Sequence, residues 1–358
     1  MEFNLTIIQA GHGDCILIQG NFDEQPRNIL IDGGSSQTYQ YRHSPGALKI
    51  ALQKIKDNGQ KIDLLVLSHV DDDHIAGLLS GFKNAGLLAQ LTQKVWFNSG
   101  KLIFEHFQKV CDESNLLDFE VNSTGTEADN LTSIGQGIKF EDFISKLGIW
   151  HYDIIHAGQI HELFGIKFSI LSPSNKKLEN LLVKWESEKP DYFTAGHDND
   201  YDKSFEELLL NDQFSEDLSI HNGSSIAFIF EYSGKRLLFL GDAHNDVIIE
   251  SIKELGYSEE KPLLLDYVKL SHHGSKYNTS PDLLRLLSCQ NFIISTDGRK
   301  HGLPNKLTLA RIVNQFPNAN LLFNYPDLIK DKTFSTVELS NLCNQGIKID
   351  SCEEPFAL

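Results

Sequence analysis

Five side chains that can bind a metal ion occur within six consecutive residues, directly after the mostly apolar segment Ile62–Leu67. These five are His69, Asp71, Asp72, Asp73 and His74. The apolar segment has the pattern of a buried β-strand, so the five side chains are predicted to lie in the loop where that strand ends. Imidazole and carboxylate ligands together favour zinc, manganese or iron over calcium or magnesium. The sequence therefore predicts a metal-binding loop; the alternative is a solvated acidic loop in which Asp73 caps the next helix.

The composition is that of an ordinary globular protein, with 358 residues of which 41% are hydrophobic and 23% are charged. We find no leader-like amino terminus and no apolar run of about 18 residues, so we expect no membrane partner. Five cysteines without a close pair argue against a disulfide framework and favour a cytoplasmic protein. The 32 basic and 49 acidic residues leave a net charge of -17, which disfavours dedicated binding of duplex DNA.

Short apolar strands alternate with helical stretches along the chain, which predicts an α/β layered domain. The strands are clearest at residues 3–8, 15–19, 28–32, 225–232, 236–240, 264–270, 291–295 and 321–324. Two polar segments with weak strand signals, about 120–159 and 176–222, interrupt this alternation. We predict one domain over residues 1–358 with these two segments as insertions.

Further groups that can bind a metal follow other apolar strands. Asp32 ends one such strand and is followed by two glycines, Asp242 ends another, and the pair His272 and His273 follows a third. A buried carboxylate without a partner is costly, and a metal ion would supply that partner. The alternative for Asp242 is a capping role at the start of the next helix.

A local basic group follows the strand at 291–295. Arg299, Lys300 and His301 lie within three residues, and we expect Lys276 and Lys306 to join them in a local basic group. In so acidic a chain, this local excess of positive charge indicates a site for an anionic group of a substrate. The alternative is a solvated charged loop.

Together these motifs resemble the metallo-β-lactamase superfamily, and within it the hydrolase domain of the DNA-uptake channel ComEC. Residues 10–18 resemble that group's V-G-Q-G-D-A-x-L-I segment, residues 28–34 its L-I-D-G-G, and residues 69–74 its H-x-D-x-D-H, a variant of H-x-H-x-D-H. The remaining motifs follow in the family's order: Leu171-Ser172-Pro173, Asn222 with Ser225, Gly241-Asp242, Ser271–Ser275 and His301-Gly302-x-Pro304. The resemblance extends over roughly residues 3–325, apart from the two insertions.

The resemblance implies a four-layer αββα sandwich with two divalent metal ions at one edge, zinc first and manganese as the second candidate. It assigns His69 and Asp71 to one metal, Asp73 and His74 to the other, and Asp242 as a bridge between them. Either His272 or His273 would complete the second metal's ligands, and the sequence leaves both open.

Four further residues are implied as metal ligands or as groups that orient the ligands. Where most of the superfamily has another histidine, this chain offers His221 or Asn222, and the ComEC-like pattern favours the asparagine. Asp14 and Asp32 would lie close to the metals.

The two metals would share a hydroxide and stabilise charge on a phosphoryl or carbonyl oxygen. Asp73 would orient this hydroxide, His301 or Lys276 would protonate the leaving oxygen, and Arg299 and Lys300 would hold a phosphate. This predicts a phosphodiesterase or nuclease that acts on a phosphorylated small molecule or a short nucleic acid. One alternative is a hydrolase of a lactone, ester or thioester. Another is a metal-site interaction component of a multi-protein defence or uptake system, with a protein partner bound through the insertions.

Overall fold

The computed structural model of the chain describes residues 2–110, 133–187 and 199–358. Its first large sheet consists of β1 (Phe3–Ile7), β2 (Ile16–Phe22), β3 (Gln25–Ile31), β6 (Leu64–Val66), β7 (Val95–Trp96) and β18 (Phe356–Ala357). These strands lie in the order β18-β1-β2-β3-β6-β7. The second large sheet consists of β8 (Ile160–Leu163), β9 (Ile166–Ser172), β10 (Ala227–Tyr232), β11 (Lys235–Phe239), β13 (Tyr267–Lys269), β15 (Asn291–Ile294), β16 (Asn320–Phe323) and β17 (Lys348–Ser351). Their order is β17-β16-β15-β13-β11-β10-β9-β8.

Two small strand pairs and the helices complete the described structure. The pairs are β4 (Gln40–Tyr41) with β5 (Ser44–Pro45), and β12 (Leu263–Leu264) with β14 (Leu287–Ser288). The helices are α1 (Ser36–Tyr39), α2 (Ala47–Asp57), α3 (Asp72–Phe82), α4 (Leu87–Leu91), α5 (Gly100–Val110), α6 (Ser133–Leu147), α7 (Asn175–Ser187), α8 (Phe205–Leu210), α9 (Ile220–Gly223), α10 (Asn245–Glu254), α11 (Pro281–Arg285), α12 (Lys306–Gln315) and α13 (Thr336–Asn344). Within the residues given above, no helix combines the length and the apolar character that a membrane span needs.

Three apolar cores divide the molecule into four layers. Between the two sheets, side chains such as Leu5 and Ile18 of the first pack against Phe168 and Phe230 of the second. The other face of the first sheet is covered by α2, α3, α4 and α6. The other face of the second sheet is covered by α10, α11, α12 and α13. The predicted four-layer αββα arrangement is therefore confirmed.

The strand directions bring several strand ends to one edge of the sandwich. In the first sheet β3, β6 and β7 are parallel, and in the second sheet β11, β13, β15, β16 and β17 are parallel. Loops that follow parallel strands collect at the edge where the carboxyl ends of those strands lie. This edge carries the metal-competent residues, because they follow β3, β6, β11 and β13.

The chain differs from the sequence-based predictions in two places. The strand predicted at 264–270 is divided into β12 and β13, because the Asp266 side chain between them accepts a hydrogen bond from the backbone N–H of Arg236 (2.8 Å). Beyond residue 325, where no element was predicted, α13 packs on the second sheet, and β17 and β18 each form the edge of a large sheet.

The two predicted insertions are described only in part, since residues 111–132 and 188–198 lie outside the described residues. The described parts pack against the rest of the chain. Phe140 and Ile144 of α6 are buried in the core that covers the first sheet, and Leu178 and Leu181 of α7 are buried against α5. The single domain with two insertions, and a partner bound through them, stay predictions.

Candidate metal centre

Asp32 organises the first half of the site from its position directly after β3. Its backbone has a φ of +57°, and its side chain is fully buried. Its carboxylate accepts hydrogen bonds from Ser68 N (2.7 Å), Ser68 Oγ (2.6 Å) and His74 Nδ1 (2.8 Å). A single carboxylate thus fixes both the beginning of the loop that follows β6 and the imidazole in the first turn of α3.

The loop before β2 lies directly against the start of α3. The backbone N–H of Asp14 donates to the carbonyl oxygen of Asp73 (3.3 Å). A Cβ atom on Gly13 would lie 1.8 Å from the same carbonyl oxygen, so this approach requires glycine. The motif at 10–18 and the motif at 69–74 are therefore in contact.

Three imidazoles present the same nitrogen to the centre. His74 Nδ1 donates to Asp32 and His273 Nδ1 donates to the carbonyl oxygen of Ser295 (2.9 Å). The Ser68 hydroxyl gives its hydrogen to Asp32, so its oxygen accepts from His69 Nδ1 (3.1 Å). Each Nδ1 therefore carries a hydrogen, and Nε2 is the nitrogen whose lone pair a metal would use after any proton on it is displaced.

These Nε2 atoms converge on Asp242, which follows β11. The Asp242 oxygens lie 3.5 Å from His74 Nε2, 3.8 Å from His69 Nε2 and 3.8 Å from His273 Nε2. Two further carboxylates approach the same rings: Asp71 Oδ2 is 3.7 Å from His69 Nε2, and Asp73 Oδ2 is 3.4 Å from His273 Nε2. The three Nε2 atoms and Asp242 Oδ1 are buried without a hydrogen-bond partner.

The spacing of these atoms fits shared metal ions. Two ligand atoms about 2.1 Å from one tetrahedrally coordinated zinc are about 3.4 Å apart, which is too long for a hydrogen bond. Among the described residues, four sets of three have ligand atoms within 4.8 Å of one another, and two of them contain no Asp14: His69, His74 and Asp242, and Asp73, His74 and His273. Buried donor atoms of mixed nitrogen and oxygen type, left without other partners, are what a divalent transition metal would bind.

Both histidines of the His272-His273 pair face Asp242. They lie in a short 3-10 turn, Ser271–Gly274, and both have positive φ angles, +46° and +54°. His273 contacts Asp73, and its ligand atom lies within 4.8 Å of those of Asp73 and His74. This is the arrangement expected of the histidine that would complete the second metal's ligands. His272 Nε2 lies 3.9 Å from Asp242 Oδ2, while Asp217 Oδ2 (3.3 Å) and Asn278 Oδ1 (3.2 Å) accept from its Nδ1.

His221 and Asn222 lie behind other side chains of the site. His221 Nδ1 is 2.7 Å from Asp71 Oδ1, a hydrogen-bond distance shorter than the spacing of two ligands on one metal. Ser133 also donates to Asp71 Oδ1 (2.9 Å). Asn222 Nδ2 donates to Asp217 Oδ2 (2.7 Å), the carboxylate that holds His272. The geometry favours the orienting role over the metal-ligand role for both residues.

The basic loop is only partly at the centre. Arg299 and Lys300 are exposed, and Arg299 Nε lies 3.6 Å from Asp297. Burial lowers the pKa of His301, the charge of Asp73 opposes this, and His272 and Lys300 add smaller lowering contributions. The loop that carries His301 contacts the turn that carries His273, because Asn305 N donates to the carbonyl oxygen of Gly274 (3.1 Å).

The side chains of the two lysines assigned to this group have other neighbours. Lys306 is buried, and its Nζ lies 2.6 Å from Glu338 of α13, so its inclusion in the basic group was wrong. Lys276 lines a separate cavity of about 320 Å³, and its Nζ lies over the Tyr277 ring, 5.3 Å from the ring centroid. The proton-donor role of Lys276 stays a prediction without geometric support.

Sequence reasoning assigned no role to several residues that support the centre. Asp217 comes from the segment predicted to be an insertion, and no pattern around it distinguishes it from other acidic residues there. His12 lies in the G-H-G-D segment; burial lowers its pKa, Asp73 opposes this and Lys300 adds to it, so it stands beside the basic loop. The position of His12 in a recognised motif was the one signal that could have identified it.

The electrostatics of the cluster couple its protons to metal binding. Burial alone would lower the pKa of His273, but Asp242 and Asp14 raise it to about 9. Burial opposes a charged His74 in the same way, yet Asp242 and Asp32 hold its pKa well above the ordinary value. In protein stripped of metal, these imidazoles therefore keep a proton at neutral pH, and a metal must displace it.

We expect the apparent affinity for a divalent metal to rise with pH, by about tenfold per unit for each displaced proton, between pH 6.5 and about 9. The protonated His273 stabilises the metal-free fold fully below its unfolded pKa of about 6.5, and this contribution is lost as the pH rises through about 9. The free energy of unfolding of metal-free protein should fall over this interval, while that of metal-loaded protein should not. Metal-buffered titrations and urea unfolding at several pH values measure both; an affinity that does not change with pH would contradict the coupling.

Part of the chain is similar to a known protein family. Residues 8–102 match the family model described as Metallo-beta-lactamase superfamily, a range that includes the 69–74 loop. No curated protein matches the chain. The match supports the resemblance to this superfamily for the part of the chain that it covers.

Three solved structures are among those to which the chain is similar. The metallo-beta-lactamase fold protein YhfI from Bacillus subtilis is 12% identical, with 100% of this chain and 98% of that chain covered and a TM-score of 0.43. Zn²⁺-bound PqqB from Methylobacterium extorquens is 12% identical, with 100% and 99% covered and a TM-score of 0.42. A diphosphatase from the PhnP family is 12% identical, with 100% and 98% covered and a TM-score of 0.40. At these values the similarities carry no inference about activity or substrate.

Proposed function

We propose that this protein is a metal-dependent hydrolase of phosphodiesters. The observation that supports a metal centre is the convergence of His69, His74 and His273 on Asp242 through buried Nε2 atoms without hydrogen-bond partners. When bound, divalent ions activate water for attack at neutral pH and offset the charge that develops on a phosphoryl oxygen. Zinc is the first candidate and manganese the second, because the donor set mixes imidazole and carboxylate.

The residues of the centre have distinct roles in this proposal. His69 and Asp71 would hold one metal, Asp73, His74 and His273 the other, and Asp242 both. Of these carboxylates, Asp73 is the one whose charge raises the pKa of both His12 and His301, the two histidines on the side of the basic loop. It is therefore suited to accept a proton from the attacking water, and His301 is suited to protonate the leaving oxygen.

The choice of a phosphodiester rests on the charge around the centre. The chain as a whole has a net charge of -17, yet Arg299 and Lys300 extend into solvent beside His301. Exposed cations of this kind attract an anionic group and hold it by charge-assisted hydrogen bonds. A neutral lactone, ester or thioester would gain nothing from them. The closer resemblance to the ComEC hydrolase domain makes short single-stranded DNA the first nucleic acid to test.

The test is a substrate panel on protein loaded with zinc or with manganese. The panel contains bis-p-nitrophenyl phosphate, cyclic nucleotides, single-stranded and duplex oligonucleotides, a lactone and a thioester. Turnover confined to phosphodiesters and abolished by a chelator is the expected result. Turnover of the lactone or thioester alone would contradict the proposal, and so would the absence of turnover with either metal.

Arg299→Ala/Lys300→Ala should raise KM for the best phosphodiester about tenfold and change kcat less than threefold, because these side chains bind the substrate equally in the ground and transition states. Both side chains are exposed, so the fold should tolerate the change. Arg42→Ala/Lys261→Ala removes the same charge from other exposed positions and is the matched control. Equal effects of the two double variants would mean that only the overall charge matters.

A further inference from the structure

A buried lysine lies next to the centre. Lys269, the last residue of β13, is 1% exposed, and its Nζ lies 2.5 Å from Oδ2 of Asp14, which precedes β2 in the other sheet. Lys269 Nζ also donates to the carbonyl oxygen of Leu270 (2.8 Å). Transfer of an ammonium and a carboxylate out of water costs several kcal/mol per ion, so such a pair adds little net stability to a fold. The burial of this pair therefore indicates a function at the adjacent site rather than a contribution to stability.

The other oxygen of Asp14 faces the metal-competent residues. Asp14 Oδ1 lies 3.3 Å from His273 Nδ1 and has no hydrogen-bond partner. Asp14 offers a ligand atom within 4.8 Å of those of Asp242 and His273, and it does the same with Asp32 and His74. The Asp14 carboxylate therefore stands within reach of a metal at the centre.

Asp32 provides a comparison within the same site. It is also a buried carboxylate beside a histidine, but its oxygens accept from Ser68 N, Ser68 Oγ and His74 Nδ1, and no lysine or arginine is among these partners. Asp14 instead has its charge cancelled by the ammonium of Lys269. Of these two carboxylates, Asp14 is the one that is paired with a lysine, and Lys269 holds it away from the centre.

We propose that Lys269 keeps Asp14 from becoming a metal ligand. The ammonium holds Asp14 Oδ2 and cancels its charge, so Asp14 stays on the Nδ1 side of His273, and a coordination position remains for water and substrate. Lys269 is thus a positioning residue that acts through Asp14. The inference rests on the proposed metal centre and is independent of the substrate.

The experiment is a double-mutant cycle on zinc affinity with the full-length protein, using wild type, Asp14→Asn, Lys269→Met and Asp14→Asn/Lys269→Met. Zinc dissociation constants come from competition with a chelator, and visible spectra of the Co²⁺-loaded proteins report the ligand set. With Lys269 present, Asp14→Asn should weaken zinc binding less than tenfold, because Ser295 still orients His273. Lys269→Met should bind zinc at least tenfold more tightly than wild type, and its Co²⁺ spectrum should differ from those of wild type and of the double variant.

The outcomes distinguish a failure of the role proposed for Lys269 from a failure of the proposed metal centre. If Asp14→Asn costs the same affinity with and without Lys269, the inference is overturned. If Lys269→Met does not fold, Asp14→Asn alone decides, since a loss above tenfold would show that Asp14 is already a ligand and a smaller loss would support the role of the lysine. Wild-type protein that binds no divalent metal would overturn the proposed metal centre itself.

Discussion

Asp242→Asn is expected to lower kcat/KM for any hydrolysed substrate by at least about a thousandfold, equivalent to about 4 kcal/mol in the activation free energy. Asp242 is the group that faces the imidazoles of His69, His74, His272 and His273. Burial opposes its ionisation, yet the surrounding histidines, His74 foremost, hold the pKa of Asp242 well below the ordinary value. An amide has one oxygen and no charge, so the variant should lose both the bridge and the metal.

Metal content and kcat/KM measured on the same preparation check this result. Asp266→Asn is the matched control, because Asp266 precedes β13 and accepts hydrogen bonds from Arg236 N and Lys235 Nζ. It should keep wild-type metal content and activity. An Asp242→Asn variant with full metal content and a tenth of the activity would show that Asp242 is not a required ligand.

Asp32→Ala is expected to lower the free energy of unfolding by about 3 to 5 kcal/mol and the zinc affinity by about 10 to 100-fold. The substitution leaves three buried donors without an acceptor: Ser68 N, Ser68 Oγ and His74 Nδ1. It also frees the His74 ring to rotate away from the metal. Urea unfolding and chelator competition measure the two effects.

Asp63→Ala distinguishes the two effects. Asp63 is buried in the same layer, directly before β6 and thus at the other end of that strand from the centre, and it accepts from Asn28 N (2.9 Å) and Arg27 Nη1 (2.7 Å). This control should also lose stability, since it too leaves a buried backbone donor unpaired, but its zinc affinity should be that of wild type. Equal losses of zinc affinity in both variants would mean that Asp32 acts through general stability alone.

The candidate metal residues could be located in the sequence because they follow apolar strands. Buried parallel strands are continuous apolar runs, so the residue at which each ends is visible, and Asp32, Asp242 and the pair His272 and His273 were selected in this way. The choice between His272 and His273 was not visible. Neighbouring residues of an extended chain point in opposite directions, but two successive positive φ angles turn both rings towards Asp242.

Contacts made by segments without a regular pattern were beyond prediction. Asp217 lies in a polar stretch, and its role depends on hydrogen bonds from Asn222 of α9 and from Asn278, which leave no periodicity in the sequence. Lys306 shows the opposite error. It is close to His301 in sequence, but its side chain turns inwards to Glu338.

The convergence of both sheets on Asp242 has a consequence for folding. Asp73 and His74 follow a strand of the first sheet, whereas Asp242 and His273 follow strands of the second. A metal ion held by them is a cross-link between residues far apart along the chain. Such a link restricts the unfolded chain to conformations in which a long loop is closed, as a disulfide does, and so lowers its entropy. Unlike a disulfide, this link between the two halves of the sandwich would contain no bond that a reducing environment could break.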